Sequence, residues 1–303
     1  ADDNTSGIPP AAAAAAAADA TVLVLGLDQQ EWEGRDRTTL LLPPIQQQLA
    51  DAVAAAAAAR GKPVIVGLVT GGVVDVSALQ SNRNVSAIMW LGHPGQAGGT
   101  AFASLLTGAA VPSGRTPLTW YRDPDIQPVR MTDMSLRPDS TSSVRQGRTY
   151  RFFTGDPLYS FGTGLSYHQF EYTGFGVEGG KATISADAID AALRAPGALR
   201  MTRLNAPALL TVSLTVQCRE GAKIVALRQR YGRSAGCPHS TLLFVSPPGA
   251  GTDGRPLKTL AGFARTDGRS QRISFNLTAL DLSIVDAQGN EFFAAGEAGL
   301  KEA

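Results

Sequence analysis

The sequence predicts an α/β layered domain with a mostly parallel sheet, followed by an all-β sandwich. Two changes of texture along the chain predict it. In residues 12–121, short unbroken runs of β-branched and aliphatic residues alternate with helix-forming stretches. That is how parallel strands covered by helices on both faces are written in sequence. After Phe161 the runs become short and alternating, separated by Gly, Pro and Asp turns, as in a β-sandwich. A length of 303 residues corresponds to about two domains.

The elements follow in order. The alanines of Ala11–Ala18 form a helix too short to span a bilayer. Thr21–Leu27 (TVLVLGL) reads as a strand buried on both faces. Ile45–Arg60 reads as a helix stopped by Gly61, and Pro63–Val69 (PVIVGLV) as a second buried strand. Val85–Leu91 is a third strand, Gln96–Thr107 a helix, and Thr116–Trp120 a fourth strand introduced by Pro112-Ser113-Gly114. Residues 122–160 lose periodicity among Pro124, Pro128, Pro138 and Pro157. Their aromatic run Tyr150-Arg151-Phe152-Phe153 is costly to leave in water, so this arm is expected to pack. Leu209–Gln217, Ser240–Ser246, Arg272–Leu277, Leu282–Val285 and Glu291–Ala294 are the strands of the second domain, 161–303. Residues 176–208, rich in Ala, Gly and Asp, read as an insertion.

Composition excludes several classes. With 27 basic and 26 acidic residues, net charge +1, nothing favours nucleic acid or an anionic membrane as partner. The start Ala-Asp-Asp-Asn lacks the basic and apolar regions of a signal peptide. His93, His168 and His239 are too scattered along the chain to suggest a metal cluster. Cys218 and Cys237 are either one disulfide of an extracellular protein or two unrelated thiols. Asn276-Leu277-Thr278 is a glycosylation sequon within an expected strand.

The densest chemistry lies just after the first strand, at Glu31-Trp32-Glu33-Gly34-Arg35-Asp36-Arg37. The carboxyl ends of strands are where open α/β sheets place their sites. A carboxyl beside an aromatic ring and a second carboxylate has its pKa raised, as a general acid requires, and Trp32 offers a flat face for a sugar ring. The alternative is a solvated loop whose arginines pair with its carboxylates. Gly92-His93-Pro94-Gly95-Gln96-Ala97-Gly98-Gly99 has the strand–turn–helix form of an anion site but not the dinucleotide fingerprint. Its plainer reading is a tight turn.

Taken together, these segments resemble the C-terminal part of glycoside hydrolase family 3, nearest to its plant and fungal β-xylosidases. The resemblance rests on an ordered set of motifs: Val24-Leu25-Gly26-Leu27-Asp28-Gln29, Glu33-Gly34-Arg35-Asp36-Arg37, Trp90 to Gly99, Pro117-Leu118-Thr119-Trp120-Tyr121, Gly147 to Gly155, and Phe161 to Tyr167. Pro256 to Phe263 is similar to a motif of the family's fibronectin III-like domain. Membership implies a retaining mechanism with two carboxyls about 5–5.5 Å apart and no cofactor or metal. Motif matching makes Glu33 the acid/base, with Glu31 the runner-up because the loop looks one residue short. It assigns Trp32 and Glu31 to substrate contact and Asp36 and Arg37 to loop support. The nucleophile aspartate of the family sits on an N-terminal (β/α)8 barrel that this sequence does not contain, and the sandwich domain is expected to lack its first strand. The implied partners are a xylo-oligosaccharide or aryl glycoside and that barrel, and the implied location is outside the cell or in the wall. Against this stand a non-catalytic carbohydrate-binding or scaffold protein of the same domains and, more remotely, a nucleotide-binding protein.

Overall fold

A computed structural model describes residues 4–27, 37–126, 128–130, 132–180, 183–194, 206–222, 224–226, 236–252, 255–286 and 288–302. The chain divides into two compact units. The first comprises residues 1–103, 119–133 and 155–160, and the second 104–118, 134–154 and 161–303.

In the first unit, helix α1 (Ile8–Ala17) leads into strand β1 (Thr21–Gly26), helix α2 (Pro44–Ala58), strand β2 (Val64–Val69), a short helix α3 (Ser77–Ser81), strand β3 (Ala87–Trp90) and helix α4 (Gly98–Leu106), whose residues from Ser104 on count with the second unit. Pro44 starts α2 at a position whose N–H has no helical partner anyway. Its buried residues Ala50, Val53, Ala54 and Ala57 recur at the 3.6-residue period. The alanines let α2 pack closely on neighbouring chain, with Val53 and Ala57 meeting Ala15 of α1 and Val64 of β2. The three strands are parallel, ordered β1-β2-β3. Gly67 in the central strand is required by packing, since a Cβ there would lie 2.8 Å from the Phe102 ring of α4.

Two expectations are corrected here. β1 is buried on one face only: Leu25 is buried, whereas Val22 and Val24 are 45% and 57% exposed. Among the described residues it is one of the sheet's two edge strands, paired with β2, and its apolar run did not imply two covered faces. Thr116–Trp120 forms no ladder strand. Trp120 makes only an isolated antiparallel bridge to Tyr159, because its backbone turns to pair with residues 158–159. Trp120 nevertheless anchors the unit's core together with Leu68, Val74, Val76, Leu79 and Leu158.

The second unit is built from two three-stranded antiparallel sheets. One is ordered β4 (Gln169–Val177), β5 (Ala208–Arg219), β8 (Ser270–Thr278). The other is β11 (Gly299–Glu302), β6 (His239–Ser246), β7 (Thr259–Thr266). Two-residue strands β9 (Ile284–Val285) and β10 (Glu291–Phe292) pair beside them. Alternate residues Val212, Leu214 and Val216 of β5 and Ile273, Phe275 and Leu277 of β8 fill the core with Leu243 and Val245 of β6. Residues 186–194, inside the expected insertion, form a helix. The aromatic run 150–153 is packed within this unit. Tyr150 meets Phe161 at 4.5 Å and Phe244 at 5.8 Å between centroids, and Phe152 and Phe153 are buried.

His239 is a buried titratable group of this sandwich. Its ring stacks on Phe170 at 4.0 Å, and its Nε2 and the Tyr172 hydroxyl are hydrogen-bonded at 2.6 Å. Burial, then the charge of Arg115, push its pKa down to about 4. Because the folded value lies below the unfolded one of about 6.5, the unfolded chain takes up the proton first as pH falls. Stability from this site is therefore complete above pH 6.5 and is lost between about 6.5 and 4, by about 2 kcal/mol after allowance for screening. Urea midpoints against pH are expected to fall more steeply for the wild type than for His239→Gln. Parallel slopes would show that His239 does not govern the acid limb.

Candidate functional site

The carboxyl ends of β1, β2 and β3 lie at one edge of the first unit's sheet, the edge where such sheets hold their sites. From β1 the chain enters residues 28–36. Glu31, Trp32, Glu33 and Asp36 lie outside the described residues. The two roots of that segment are described, and so are the turns that follow β2 and β3.

At the upstream root, Leu27 N–H donates to the Val69 carbonyl at 3.1 Å and continues the β1–β2 ladder. Gly26 lies against Val69 so closely that a Cβ would be 2.1 Å from its carbonyl oxygen. The amide and carbonyl of Gly26 are taken by one side chain, Gln46 of α2. Gly26 N–H donates to Gln46 Oε1 at 2.9 Å, and Gln46 Nε2 donates to Gly26 O at 2.7 Å.

At the downstream root, the Arg37 guanidinium donates to the carbonyls of Val73 at 3.0 Å and Thr39 at 3.3 Å. Asp123 accepts from the Thr39 hydroxyl at 2.7 Å and the Leu40 N–H at 2.5 Å. Asp123 N–H in turn donates to Asp75 Oδ2 at 2.7 Å. The other oxygen of Asp75 accepts from Ser77 N–H at 2.8 Å and from the Ser77 hydroxyl. Burial alone would raise the Asp75 pKa. The bonds from Ser77 and Asp123 and the charge of Arg122 outweigh it and hold the carboxyl below its ordinary value. With both oxygens engaged, Asp75 is suited to holding backbone rather than to exchanging protons.

The β2 and β3 turns meet beside these roots. Trp90 Nε1–H is shared between the Thr70 carbonyl and hydroxyl, at 3.1 and 3.0 Å. His93 lies against Gly71, where a Cβ would sit 2.5 Å from its Nε2. Gly92 and Gly95 have positive φ, and Gly98 faces the Pro94 ring. Turn geometry therefore accounts for these glycines without a bound anion.

Sequence reasoning missed Gln46, Asp75 and Asp123. Asp75 was reachable, because it follows a strand's carboxyl end as the Glu31–Arg37 run does. Gln46 and Asp123 carry no local signal. The structure also gathers what looked scattered in sequence. Donor atoms of His168, Cys218 and Cys237 lie within 4.8 Å of one another. The sulfurs are joined as a disulfide, and the imidazole bonds Gly236 O at 2.9 Å and accepts from Gly221 N–H at 3.3 Å. This cluster ties Gly221 to Gly236 and leaves no donor atom uncommitted.

Comparison with known proteins adds the family. Residues 3–167 match the glycosyl hydrolase family 3 C-terminal domain, and residues 239–298 match a fibronectin type III-like domain. The chain is 35% identical over 287 residues to a β-xylosidase/α-L-arabinofuranosidase 2 of Medicago sativa subsp. varia, covering 92% of this chain and 34% of that protein. Over 156 residues it is 50% identical to β-D-xylosidase 1 of Arabidopsis thaliana, covering 51% of this chain and 19% of that protein. Among solved structures, a family 3 exo-β-xylosidase in complex with a xylobiose aziridine probe superposes with a TM-score of 0.78 and 32% identity. The match covers 99% of this chain and 36% of that one. The chain thus spans about a third of the length of relatives that match it along most of its own length. With a parallel sheet flanked by helices followed by antiparallel sheets, and with both domain matches in that order, this chain belongs to glycosyl hydrolase family 3.

Proposed function

We propose that this chain forms part of a retaining β-xylosidase-like hydrolase acting on O-glycosidic bonds of xylan-derived oligosaccharides, and that Glu33 is its acid/base. The observation that carries this reading is the family 3 match over residues 3–167, within which the 28–36 segment leaves the carboxyl end of β1. Glu33 protonates the departing oxygen and then takes the proton of the attacking water. The nucleophile comes from a (β/α)8 barrel, without which the chain turns over no substrate. Glu31 is the alternative acid/base. Trp32 stacks on the sugar with Glu31 beside it, while Asp36 and Arg37 hold the loop. The protein works outside the cell, a location that suits the Cys218–Cys237 disulfide.

The test is a chimera in which this chain replaces the aligned third of the Medicago relative. Hydrolysis of xylobiose is expected. Glu33→Gln should cut kcat/KM for xylobiose by about a hundredfold or more, and Glu31→Gln should cut it much less. A chimera whose turnover survives Glu33→Gln unchanged would refute the assignment.

A further inference from the structure

We infer that Gln46, Asp75 and Asp123 are positioning residues that set the reach of the 28–36 segment by pinning both of its roots. The inference rests on the reading of Glu33 as the acid/base, and it assigns these three residues no contact with substrate.

The sheet dictates the need at the upstream root. Among the described residues β1 is an edge strand; Thr21 at its start and Leu27 just past its end donate to Pro63 O and Val69 O. The N–H and C=O of Gly26 therefore point to the open side, where a parallel strand would otherwise bond them. Gln46 supplies the acceptor and the donor in one planar amide, at 2.9 and 2.7 Å. It holds the last β1 residue before the segment on the side away from β2. The bare Cα of Gly26 meets Val69 on the other. The strand end is thus fixed from both sides.

Residues 37–41 belong to no helix or ladder strand, apart from one bridge between Leu41 and Asp75. Side chains must hold them. Asp123 takes Thr39 and Leu40 together on a single oxygen, while Asp75 N–H donates to the Leu40 carbonyl at 2.8 Å. The Asp75 carboxylate then fixes Asp123 through its N–H. Asp75 is buried and the bonds that Asp123 makes are part-buried, so competing water is partly excluded. Bonds to a carboxylate are stronger than neutral ones, which suits a root that must resist displacement. A reacting group misplaced by about 1 Å loses about a hundredfold in rate, so partial release of a root is expected to cost about tenfold.

Leaving-group dependence reads this role separately from damage to the fold. In the chimera, Asp123→Asn and Gln46→Leu are each expected to lower kcat/KM for xylobiose by about tenfold. Both should leave that for 2,4-dinitrophenyl β-D-xyloside within about twofold, because dinitrophenolate departs without a proton. Glu33→Gln, measured beside them, must show the same selectivity more strongly. Equal losses on both substrates, or no loss on either, overturn the positioning role even where Glu33→Gln behaves as expected. If Glu33→Gln is silent or the chimera is inactive, it is the acid/base reading that fails. The pinning is then decided on this chain alone by trypsin cleavage after Arg37. Cleavage accelerated about tenfold by Asp123→Asn at an unchanged melting temperature supports it, and equal rates overturn it. Should Asp123→Asn fail to fold, Thr39→Val keeps the Leu40 N–H bond to Asp123, removes the hydroxyl's bonds to Asp123 and from Leu41 N–H, and is read in the same way.

Discussion

Trp120→Ala is expected to destabilise the first unit by about 4 kcal/mol, within the range for emptying a buried tryptophan site. The side chain is 2% exposed. It meets Trp90 edge-on at 5.3 Å and Tyr159 at 6.4 Å, and its Nε1–H donates to the Val74 carbonyl. The backbone of the same residue takes the Leu158 N–H at 2.7 Å and donates to Tyr159 O at 2.8 Å. One side chain therefore holds three segments distant in sequence: the turn after β2, the end of β3 and residues 158–159. Alanine leaves a cavity among Leu68, Val76 and Leu158 and an unpaired carbonyl at Val74. Trp120→Phe keeps much of the volume and loses the N–H bond, so about 1–2 kcal/mol is expected. Urea unfolding followed by tryptophan fluorescence reads this unit, since positions 32, 90 and 120 all belong to it, which matters because a two-unit chain need not unfold in a single step. A loss below 1 kcal/mol in Trp120→Ala would remove Trp120 from its central place. Asp123 lies three residues further on, so loosening Trp120 should also loosen the pinned residues 39–40.

Much of this architecture was legible from periodicity. The aliphatic runs 21–27, 63–69 and 85–91 became β1, β2 and β3, because a parallel sheet needs unbroken apolar stretches. The alanine-rich stretch became α2 with its 50, 53, 54, 57 stripe. Periodicity could not tell that β1 is an edge strand, since burial of Val22 and Val24 depends on what lies over them and not on their own sequence. Nor could it separate a strand from the isolated bridge at Trp120, whose partner Tyr159 is far along the chain. The candidate site divides in the same way. The Glu31–Arg37 cluster was visible because its chemistry is contiguous. The groups that hold its roots come from positions 46, 75 and 123 and converge only in three dimensions.

Removing the disulfide, as Cys218→Ser with Cys237→Ser, is expected to cost the second unit about 3 kcal/mol. Cross-linking residues 19 apart withholds about that much chain entropy from the unfolded state. The bridge joins the end of β5 to the residue two before β6, with Cα atoms 6.3 Å apart. Both cysteines are also seated by backbone bonds, Cys218 N–H to Arg269 O at 2.7 Å and Cys237 N–H to Asp267 O at 3.4 Å. His168 closes the same loop independently through Gly221 and Gly236, so the two clamps act on one entropy and their losses should not add. His168→Ala alone is expected to cost about 1–2 kcal/mol through its two bonds. In the disulfide-free background it should cost more, because the imidazole then bonds both loop ends, at Gly221 and Gly236, with no covalent link between them. Thermal melts of the four proteins, with and without a dithiol reductant, measure both claims. The reductant should lower the wild-type melting temperature by about 6–12 °C and leave the double serine variant unmoved. A wild type indifferent to reduction would show that the bridge adds nothing to the sandwich. Strictly additive losses would show that His168 and the disulfide restrain different parts of the chain.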